Sequence, residues 1–390
     1  MATIQKPPTL VVLQLTGGND PLNTVVPYTN SLYYENRPGV HIKPEDVLPI
    51  TPEYGFHPSM APLKQFWDAG KMAIVAGTGY ENASYSHFRS MDIWYTAQPE
   101  SIAIDGWLGR LVQALDPKAD NVLSAVSFGR GLPRALSLAG VPVASVAQLD
   151  SYGLLTSLSS VAERASALEV FSCMYDDGFN DQGKPAVKET LPNEEIGPVL
   201  DYLGQTGLDA QKGADILRTA LDGYTSTVTY PKTQLGNSLR GIAQVKLAEL
   251  GTRVFYCQHD SFDTHAAQLH VHAKLWRDVS EAVAAFFQDL RDHNAADDVV
   301  MLLWSEFGRR VKDNGSGTDH GAGGVSFLIG ESIKGGIYGE FPSLKESDLL
   351  LGNLQYNNDF RSTYSTILER WFQVEARPIV NGSFEQLAFV

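Results

Sequence analysis

The sequence predicts an α/β fold, because short apolar runs alternate with polar loops and with segments of helical periodicity along most of the chain. Several runs are continuously apolar, which is typical of central strands that are covered on both faces. Each of these runs ends in a loop rich in glycine, acidic residues or histidine. Ligands of open α/β sheets bind outside the carboxyl ends of the strands, so these loops are the predicted place of function.

The apolar run at residues 9–15 predicts the first strand, which leads into the glycine-rich sequence TGGND. A helix is predicted over residues 58–69, followed by a second buried strand at residues 72–76. Apolar residues recur at helical spacing from Ala266 to Leu290, which predicts an amphipathic helix. Further strands are predicted over residues 253–258, 299–304 and 325–329.

Residues 1–390 are predicted to form one domain, because no Pro-rich or Gly/Ser-rich linker marks a boundary and no internal repeat is visible. Residues 150–250 are predicted to be a helical insertion that covers one face of the sheet or one wall of the site. Its helices are predicted over residues 161–176, 197–203, 211–223 and 235–250.

The net charge of −15, from 45 acidic and 30 basic residues, disfavours binding to nucleic acid. An anionic substrate would need local compensation by metal ions or by converging arginines. The two cysteines, Cys173 and Cys257, lack the spacing of a metal or redox site and are interpreted as isolated buried thiols.

No apolar run approaches the roughly 20 residues that are needed to cross a bilayer, so no integral membrane segment is predicted. The first ten residues contain two prolines and no apolar core of a signal peptide. A cytoplasmic location is therefore expected for the chain as written, and a periplasmic or secreted location is the alternative if a leader is removed. The oligomeric state is not predicted from these features.

Four predicted strand ends or loops carry residue types that bind metal ions. Carboxylates combined with imidazoles suit Zn²⁺, Mn²⁺ or iron, whereas the oxygen ligands alone would admit Mg²⁺ or Ca²⁺. The sequence therefore predicts a site for one or two divalent ions, whose candidate ligands are Asp20, Asp263, His265, Glu306, Asp319 and His320.

Each candidate ligand has a structural alternative. An aspartate at a strand end, such as Asp20, is also a common helix cap. Asp263 could cap a turn while His265 lies on the surface, although on a loop this spacing lets both reach one ion. His320 is flanked by glycines, which predicts a loop that approaches another part of the protein closely. The neighbouring His270 and His272 fall on the predicted helix and are expected to be solvated.

Ser86, His87 and Arg309 are the candidate catalytic residues. A helix is predicted to begin near Ser86, so this hydroxyl could be a nucleophile at a helix N-terminus or only the first serine of the helix. Arg309 and Arg310 could pair with a substrate oxyanion or form surface ion pairs. The GxSxG, Walker, GxGxxG and HExxH motifs are absent from the expected places in the sequence.

Several motifs together resemble the DUF1501 proteins, uncharacterised members of the alkaline phosphatase and sulfatase superfamily. The resemblance extends from about Thr9 to Phe372. It implies a three-layer α/β sandwich with a mostly parallel central sheet and a helical insertion. The motifs are LTGGND with NTVVPY, FHPSMAPLKQFWDAGKMAIVAG, SYSHF, FDTHAAQ, SEFGRR, NGSGTDHGAGG and NDFRSTY.

The same resemblance implies an ester-hydrolysing site with two metal ions. Asp20 is similar to the first metal ligand of the superfamily, Ser86 to its nucleophile, and Asp263 with His265 to its Asp…His pair. The usual Asp-His pair directly follows a buried strand, where this chain has Glu306 and Phe307. His320 would then resemble a later histidine ligand.

A second alignment makes Asp319 and His320 the Asp-His pair, and the later histidine is then missing. One ligand is absent in either alignment, and the sulfatase-type C/S-x-P-x-R motif is absent as well. The resemblance implies a metal-dependent hydrolase of small-molecule or glycan esters of phosphate or sulfate, with Arg309 on the oxyanion. The alternative is a protein of the same fold that binds an anion or glycan without turnover.

Overall fold

A computed structural model describes residues 6–129, 131–147, 149, 209, 212–214, 216–217 and 223–390. Their strands are β1 (Thr9–Leu15), β2 (Val25–Val26), β3 (Leu48–Pro49), β4 (Gly55–Phe56), β5 (Met72–Gly79), β6 (Ala125–Phe128), β7 (Ala144–Val146), β8 (Val254–His259), β9 (Val299–Trp304), β10 (Gly324–Ile329), β11 (Gly336–Tyr338) and β12 (Asn358–Asp359). The α-helices are α1 (Pro21–Thr24), α2 (Ser31–Asn36), α3 (Ala61–Asp68), α4 (His87–Thr96), α5 (Trp107–Leu115), α6 (Gln234–Leu247), α7 (Gln268–Asp292), α8 (Phe360–Thr366) and α9 (Arg377–Val380). Shorter 3₁₀ turns lie at Pro44–Asp46, Pro58–Met60, Arg134–Leu136 and Glu346–Asp348, and a π-helical turn lies at Ile367–Trp371.

A nine-stranded sheet forms the centre of the fold, in the order β11-β5-β10-β9-β1-β8-β6-β7, with β12 also paired to β5. β10 is antiparallel to both of its neighbours, and the other pairs of this sheet are parallel. A separate antiparallel sheet contains β2, β4 and β3. The predicted, mostly parallel central sheet is therefore confirmed.

Helices cover both faces of the large sheet, which gives three layers. Along β1, Val11 and Leu13 point into a core shared with α3, α6 and α7, whereas Leu10 and Val12 point into a second core shared with α4, α5 and α8. The same alternation occurs along β9. The continuous apolar runs in the sequence are explained by this burial on both faces. The predicted three-layer fold is thus confirmed, and among the described helices none is long and apolar enough to cross a membrane.

Most of the predicted elements that fall in the described residues are confirmed with small shifts of their ends. The strands at residues 9–15 and 299–304 have the predicted bounds, and the helix predicted near Ser86 begins at His87. The sequence reasoning missed β6, β7, β11 and β12, which have two to four residues each and are too short to show periodicity.

The predicted insertion at residues 150–250 stays a prediction, and α6 confirms the helix predicted over residues 235–250 with small shifts of its ends. The helices predicted over residues 161–176 and 197–203, most of the helix predicted over residues 211–223, and Cys173 lie outside the described residues. Cys257 is a buried free thiol, as predicted.

A buried polar cluster joins α7 to the loop after β1. The Asn19 side-chain oxygen accepts hydrogen bonds from Thr24 Oγ1 at 3.0 Å and Trp276 Nε1 at 3.2 Å, and it lies 3.0 Å from His272 Nε2. The expectation that His272 is solvated is wrong, whereas His270 is exposed. His272 lies four residues before Trp276 and therefore on the same buried face of the helix.

The cluster also brings two buried histidines together, His57 and His272, whose ring centroids are 5.6 Å apart. Burial lowers the pKa of His272 to about 3 and the pKa of His57 to about 4, because removal from water disfavours the charged imidazolium. Both rings are therefore neutral in the folded protein at pH 7.

We expect the free energy of unfolding to decrease as the pH falls below about 6.5, the ordinary imidazole pKa. The unfolded chain binds protons at His57 and His272 in this range, and the folded protein does not. For His272 alone the loss between pH 7 and pH 5 is about 2 kcal/mol. Urea denaturation at the two pH values measures it.

His272→Gln should reduce the difference in stability between pH 7 and pH 5, because a glutamine side chain does not titrate. His270→Gln is the matched control on the same helix, since His270 is exposed. An equal pH dependence in the two variants would contradict the assignment to His272.

Candidate metal centre

The loops that carry most of the candidate residues meet at one edge of the large sheet. β1 and β8 are parallel neighbours, as are β1 and β9, so the loops that follow these three strands leave from the same edge. β10 is antiparallel to β9, and residues 305–323 connect the two strands at this edge. The topology therefore collects the TGGND, FDTHAAQ, SEFGRR and NGSGTDHGAGG sequences in one place.

Four side chains form the centre of this edge. In the described part of the chain, His87, Asp263 and His320 form a group whose possible ligand atoms lie within 4.8 Å of one another. Asp263 Oδ1 lies 3.1 Å from the Nε2 atoms of both His265 and His320, and these two Nε2 atoms are 3.0 Å apart. Asp263 Oδ2 lies 3.6 Å from His87 Nε2.

Hydrogen bonds on the outer side of the rings determine which nitrogen faces the group. His320 Nδ1 lies 2.8 Å from the backbone oxygen of Tyr85, which can only accept. His265 Nδ1 lies 3.0 Å from Asp319 Oδ1. The hydrogen bond to His265 lowers the pKa of the Asp319 carboxyl and outweighs the opposite effect of burial, so Asp319 is an ionised acceptor. Both rings therefore carry a proton on Nδ1, and in their neutral form they present an unprotonated Nε2 to each other.

His87 follows the same arrangement. Its Nδ1 lies 2.8 Å from Glu306 Oε1, so the ring donates outward and turns Nε2 towards Asp263. The hydrogen bond to Glu306 raises the pKa of His87, in spite of partial burial. A histidine that donates Nδ1–H to a carboxylate and offers Nε2 is the arrangement that orients imidazole ligands in metal sites.

The converging lone pairs would be stabilised by a proton or a cation among them. The Nε2 atoms of His265 and His320 are in contact with each other and with an anionic carboxylate, so without a proton or a metal ion these groups repel. Ligands at 2.0–2.1 Å from a tetrahedral zinc ion lie about 3.3 Å apart, close to the separations among Asp263 Oδ1 and the Nε2 atoms of His265 and His320. The residues present therefore fit a divalent ion, and nitrogen-rich ligand sets suit zinc or manganese better than calcium.

Glu306 contacts the Nδ1 side of His87, which points away from Asp263. It therefore does not belong to the group formed by His87, Asp263, His265 and His320. The carboxylate is buried, and it accepts hydrogen bonds from Gly17 N at 2.9 Å and Ser305 Oγ at 3.2 Å in addition to facing His87. Its two oxygens are thus occupied by the loop after β1, by the neighbouring serine and by the histidine. This position fits orientation of His87 better than the direct metal contact expected from sequence.

Arg309 is buried and holds the loops together. Its guanidinium donates to the backbone oxygens of Gly17, Gly18 and Thr318 and to Asp263 Oδ1. Burial alone would raise the pKa of Asp263, but the bond and the charge of Arg309 outweigh this effect and lower it. Arg309 is therefore placed to fix Asp263 in its ionised form, and the exposed guanidinium is that of Arg310.

Asp20 is bonded to other partners. It is buried at the N-terminus of α1, where Oδ1 accepts from the backbone of Leu22 at 3.1 Å, and Oδ2 accepts from Arg37 and from Gln268. Burial would raise the pKa of Asp20, but Arg37 lowers it below its ordinary value. The alternative interpretation as a helix cap is confirmed. The sequence reasoning missed Arg37, because no local pattern links it to Asp20.

Ser86 lies at the N-terminus of α4 and is exposed. Its hydroxyl makes no hydrogen bond to the helix backbone. The residues on either side of it both contact the centre, since Tyr85 accepts from His320 and His87 faces Asp263. The predicted helix start thus lies in the chain between two residues that contact the centre.

The family model described as "Protein of unknown function (DUF1501)" matches residues 204–380, and the predicted resemblance to this family is confirmed over them. No curated protein matches the chain. Among similar solved structures, lipoteichoic acid synthase LtaP from Listeria monocytogenes is 9% identical with a TM-score of 0.36, covering 94% of this chain and 72% of that chain.

The PsFucS1 sulfatase from Pseudoalteromonas sp. is 11% identical with a TM-score of 0.40, covering 98% of this chain and 71% of that chain. A protein in the alkaline phosphatase superfamily from Vibrio parahaemolyticus is 10% identical with a TM-score of 0.33. That match covers 88% of this chain and 65% of the other, so this chain spans less than two thirds of that protein.

We expect Arg309→Lys to lower the free energy of unfolding by about 3 kcal/mol, because an ammonium cannot reach all the acceptors and leaves buried oxygens unpaired. Arg310→Lys is the matched control at the adjacent exposed position, and its effect should stay within about 0.5 kcal/mol. Urea denaturation followed by tryptophan fluorescence compares them. Equal stabilities of the two variants would contradict the role given to Arg309.

Proposed function

We propose that the chain binds one divalent metal ion through His87, Asp263, His265 and His320 and hydrolyses phosphate or sulfate esters at this centre. The observation that carries the proposal is the common orientation of the three histidines. Each has its Nδ1 next to an acceptor on the outer side and its Nε2 next to Asp263. A set of three imidazoles and one carboxylate supports zinc as the first candidate ion and manganese as the second.

One ion is proposed where the sequence allowed one or two. Asp20, the expected ligand of the first strand end, already has a cationic partner in Arg37. Arg37 also donates to Asn23 Oδ1 at 2.9 Å and to the backbone oxygen of Val311 at 3.0 Å, so the buried guanidinium is firmly engaged there. A second ion beside Asp20 would have to displace it.

The proposed centre is accessible to a substrate. The side chains of Asp263 and His265 are about two-fifths exposed, so a further ligand can reach them from solvent. The chain carries a net charge of −15, and a bound cation would attract an anionic ester locally and stabilise the negative charge that develops on its oxygens. Ser86 is exposed and directly precedes His87, and its neighbour Tyr85 contacts His320, which supports its proposed role as nucleophile.

In the proposed reaction the Ser86 oxygen attacks phosphorus or sulfur, and the bond to the ester oxygen breaks. The proton of the serine hydroxyl leaves with the released alcohol, so the first step is balanced. Water then attacks the serine-bound group, restores the hydroxyl and releases phosphate or sulfate. Glu306 keeps His87 oriented during both steps, and Arg309 keeps Asp263 ionised and in place.

We expect about one zinc ion per chain after zinc loading and dialysis, and we expect His320→Ala to weaken zinc affinity at least about 100-fold. Glu306→Gln should weaken it about 10- to 100-fold, because the ring of His87 loses its anionic partner. The measurement is elemental analysis combined with competition against a chromogenic chelator.

His270→Ala is the control for these variants, since His270 is an exposed histidine on α7 that is not among the proposed ligands. It should bind zinc like the wild type. Zinc and manganese contents near zero in the loaded wild type would refute the metal centre.

We expect Ser86→Ala to lower kcat/KM for 4-nitrophenyl phosphate or 4-nitrophenyl sulfate at least about 1000-fold while metal content stays constant, because the nucleophile is removed. Ser101→Ala is the control, as Ser101 is exposed and its hydroxyl donates to Gln98 Oε1. If the metal-loaded wild type hydrolyses neither ester, the hydrolase proposal fails, and a protein that binds anions without turnover becomes the better explanation.

A further inference from the structure

A tight turn near the proposed metal centre carries two exposed leucines. Leu350 and Asn353 exchange backbone hydrogen bonds at 3.1 and 3.0 Å, and the two residues between them have positive φ angles, 53° at Leu351 and 80° at Gly352. Positive φ at both central residues is the signature of a type I′ turn. Such turns favour asparagine, aspartate and glycine at their central positions.

Leucine at the first central position is therefore a poor choice for the stability of the turn. A left-handed backbone crowds its side chain. The side chain also gains little from burial, because Leu351 is 77% exposed and Leu350 is 55% exposed. A residue that costs stability without contributing to the core is typical of a functional contact.

Hydrogen bonds connect this turn to the histidines of the centre. The side-chain nitrogen Nδ2 of the buried Asn353 donates to the Tyr85 hydroxyl at 3.1 Å and to the backbone oxygen of Leu350 at 3.1 Å. The backbone oxygen of Tyr85 in turn lies 2.8 Å from His320 Nδ1. Tyr85 thus connects the turn to His320, because its hydroxyl binds Asn353 and its backbone oxygen faces the His320 ring.

Two further exposed apolar side chains belong to the segment that carries His87. Tyr85 is 40% exposed, and Phe88 is 82% exposed in the first turn of α4, directly after His87. Apolar side chains around a small number of converging polar groups are the usual composition of a site for an organic ligand. Hydrogen bonds connect Tyr85 and the turn to His320, and Phe88 directly follows His87, so these exposed apolar residues all belong to segments that adjoin the polar centre.

We propose that Leu350, Leu351, Tyr85 and Phe88 contact the apolar organic group of an anionic substrate whose charged group lies at the metal centre. The inference rests on the proposed function for the position of the charged group. It names the substrate class as phosphate or sulfate esters of apolar alcohols or phenols, in preference to esters of sugars.

The test compares the binding of methylphosphonate and hexylphosphonate to the zinc-loaded protein by calorimetry, which needs no turnover. We expect the wild type to bind hexylphosphonate about tenfold or more tightly than methylphosphonate, because the longer chain loses contact with water. Leu351→Asn should reduce this ratio about threefold or more, and Leu350→Thr/Leu351→Asn should bring it close to one.

Stability measurements separate this effect from misfolding. Leu351→Asn should unfold at the same temperature as the wild type or higher, because asparagine suits the turn. Ile104→Asn is the control for exposed apolar surface, since Ile104 is 74% exposed and has no part in the connection to His320; its binding ratio should equal that of the wild type.

A wild type without preference for the longer chain overturns the inference, as does a preference that survives in the double variant or a wild type that binds neither phosphonate. Metal content and ester hydrolysis of the same samples show separately whether the proposed function holds. Normal metal content and hydrolysis with equal binding of both phosphonates would reject the apolar contact alone.

Discussion

The buried guanidinium of Arg309 is the interaction on which the arrangement of the centre depends. It donates to the backbone oxygens of Gly17, Gly18 and Thr318 and to the carboxylate of Asp263. These acceptors come from the loops after β1 and β8 and from the loop between β9 and β10. Burying a charge is costly unless it is fully hydrogen-bonded, so this cation holds the three loops at fixed distances.

Close approach of the loops also explains their glycines. A Cβ atom at Gly17 would lie 2.4 Å from the backbone nitrogen of Asp263, and one at Gly317 would lie 2.2 Å from the backbone oxygen of Thr264. Both contacts are with backbone that cannot move aside. The glycines that flank His320 in the sequence were predicted to permit a close approach, and a Cβ atom at Gly321 would lie 2.4 Å from the backbone carbonyl carbon of Arg309.

The charges of the centre are distributed in two layers. The inner layer contains Asp263 and the Nε2 atoms of the histidines, and the outer layer contains acceptors that bind the Nδ1 protons. The outer acceptors are Glu306, Asp319 and the backbone oxygen of Tyr85, so two of the candidate acidic residues bind histidines from the outer side. Candidate ligands that lie close in the sequence therefore have different roles, and Asp319 supports a histidine while its neighbour His320 faces the inner layer.

The sequence by itself determined the α/β class, the places of the central strands to within a few residues and the loops that carry the polar residues, because burial on two faces and helical periodicity are local patterns. It could not predict that Arg309 is buried and Arg310 exposed, because the two side chains are identical and differ only in what surrounds them in space. It could not pair Asp20 with Arg37 either, because no local pattern links the two residues. The partner of Arg37 at Val311 is 274 residues away in the chain. Only the tertiary structure decides such pairings, since they depend on which loops the sheet order brings to the same edge.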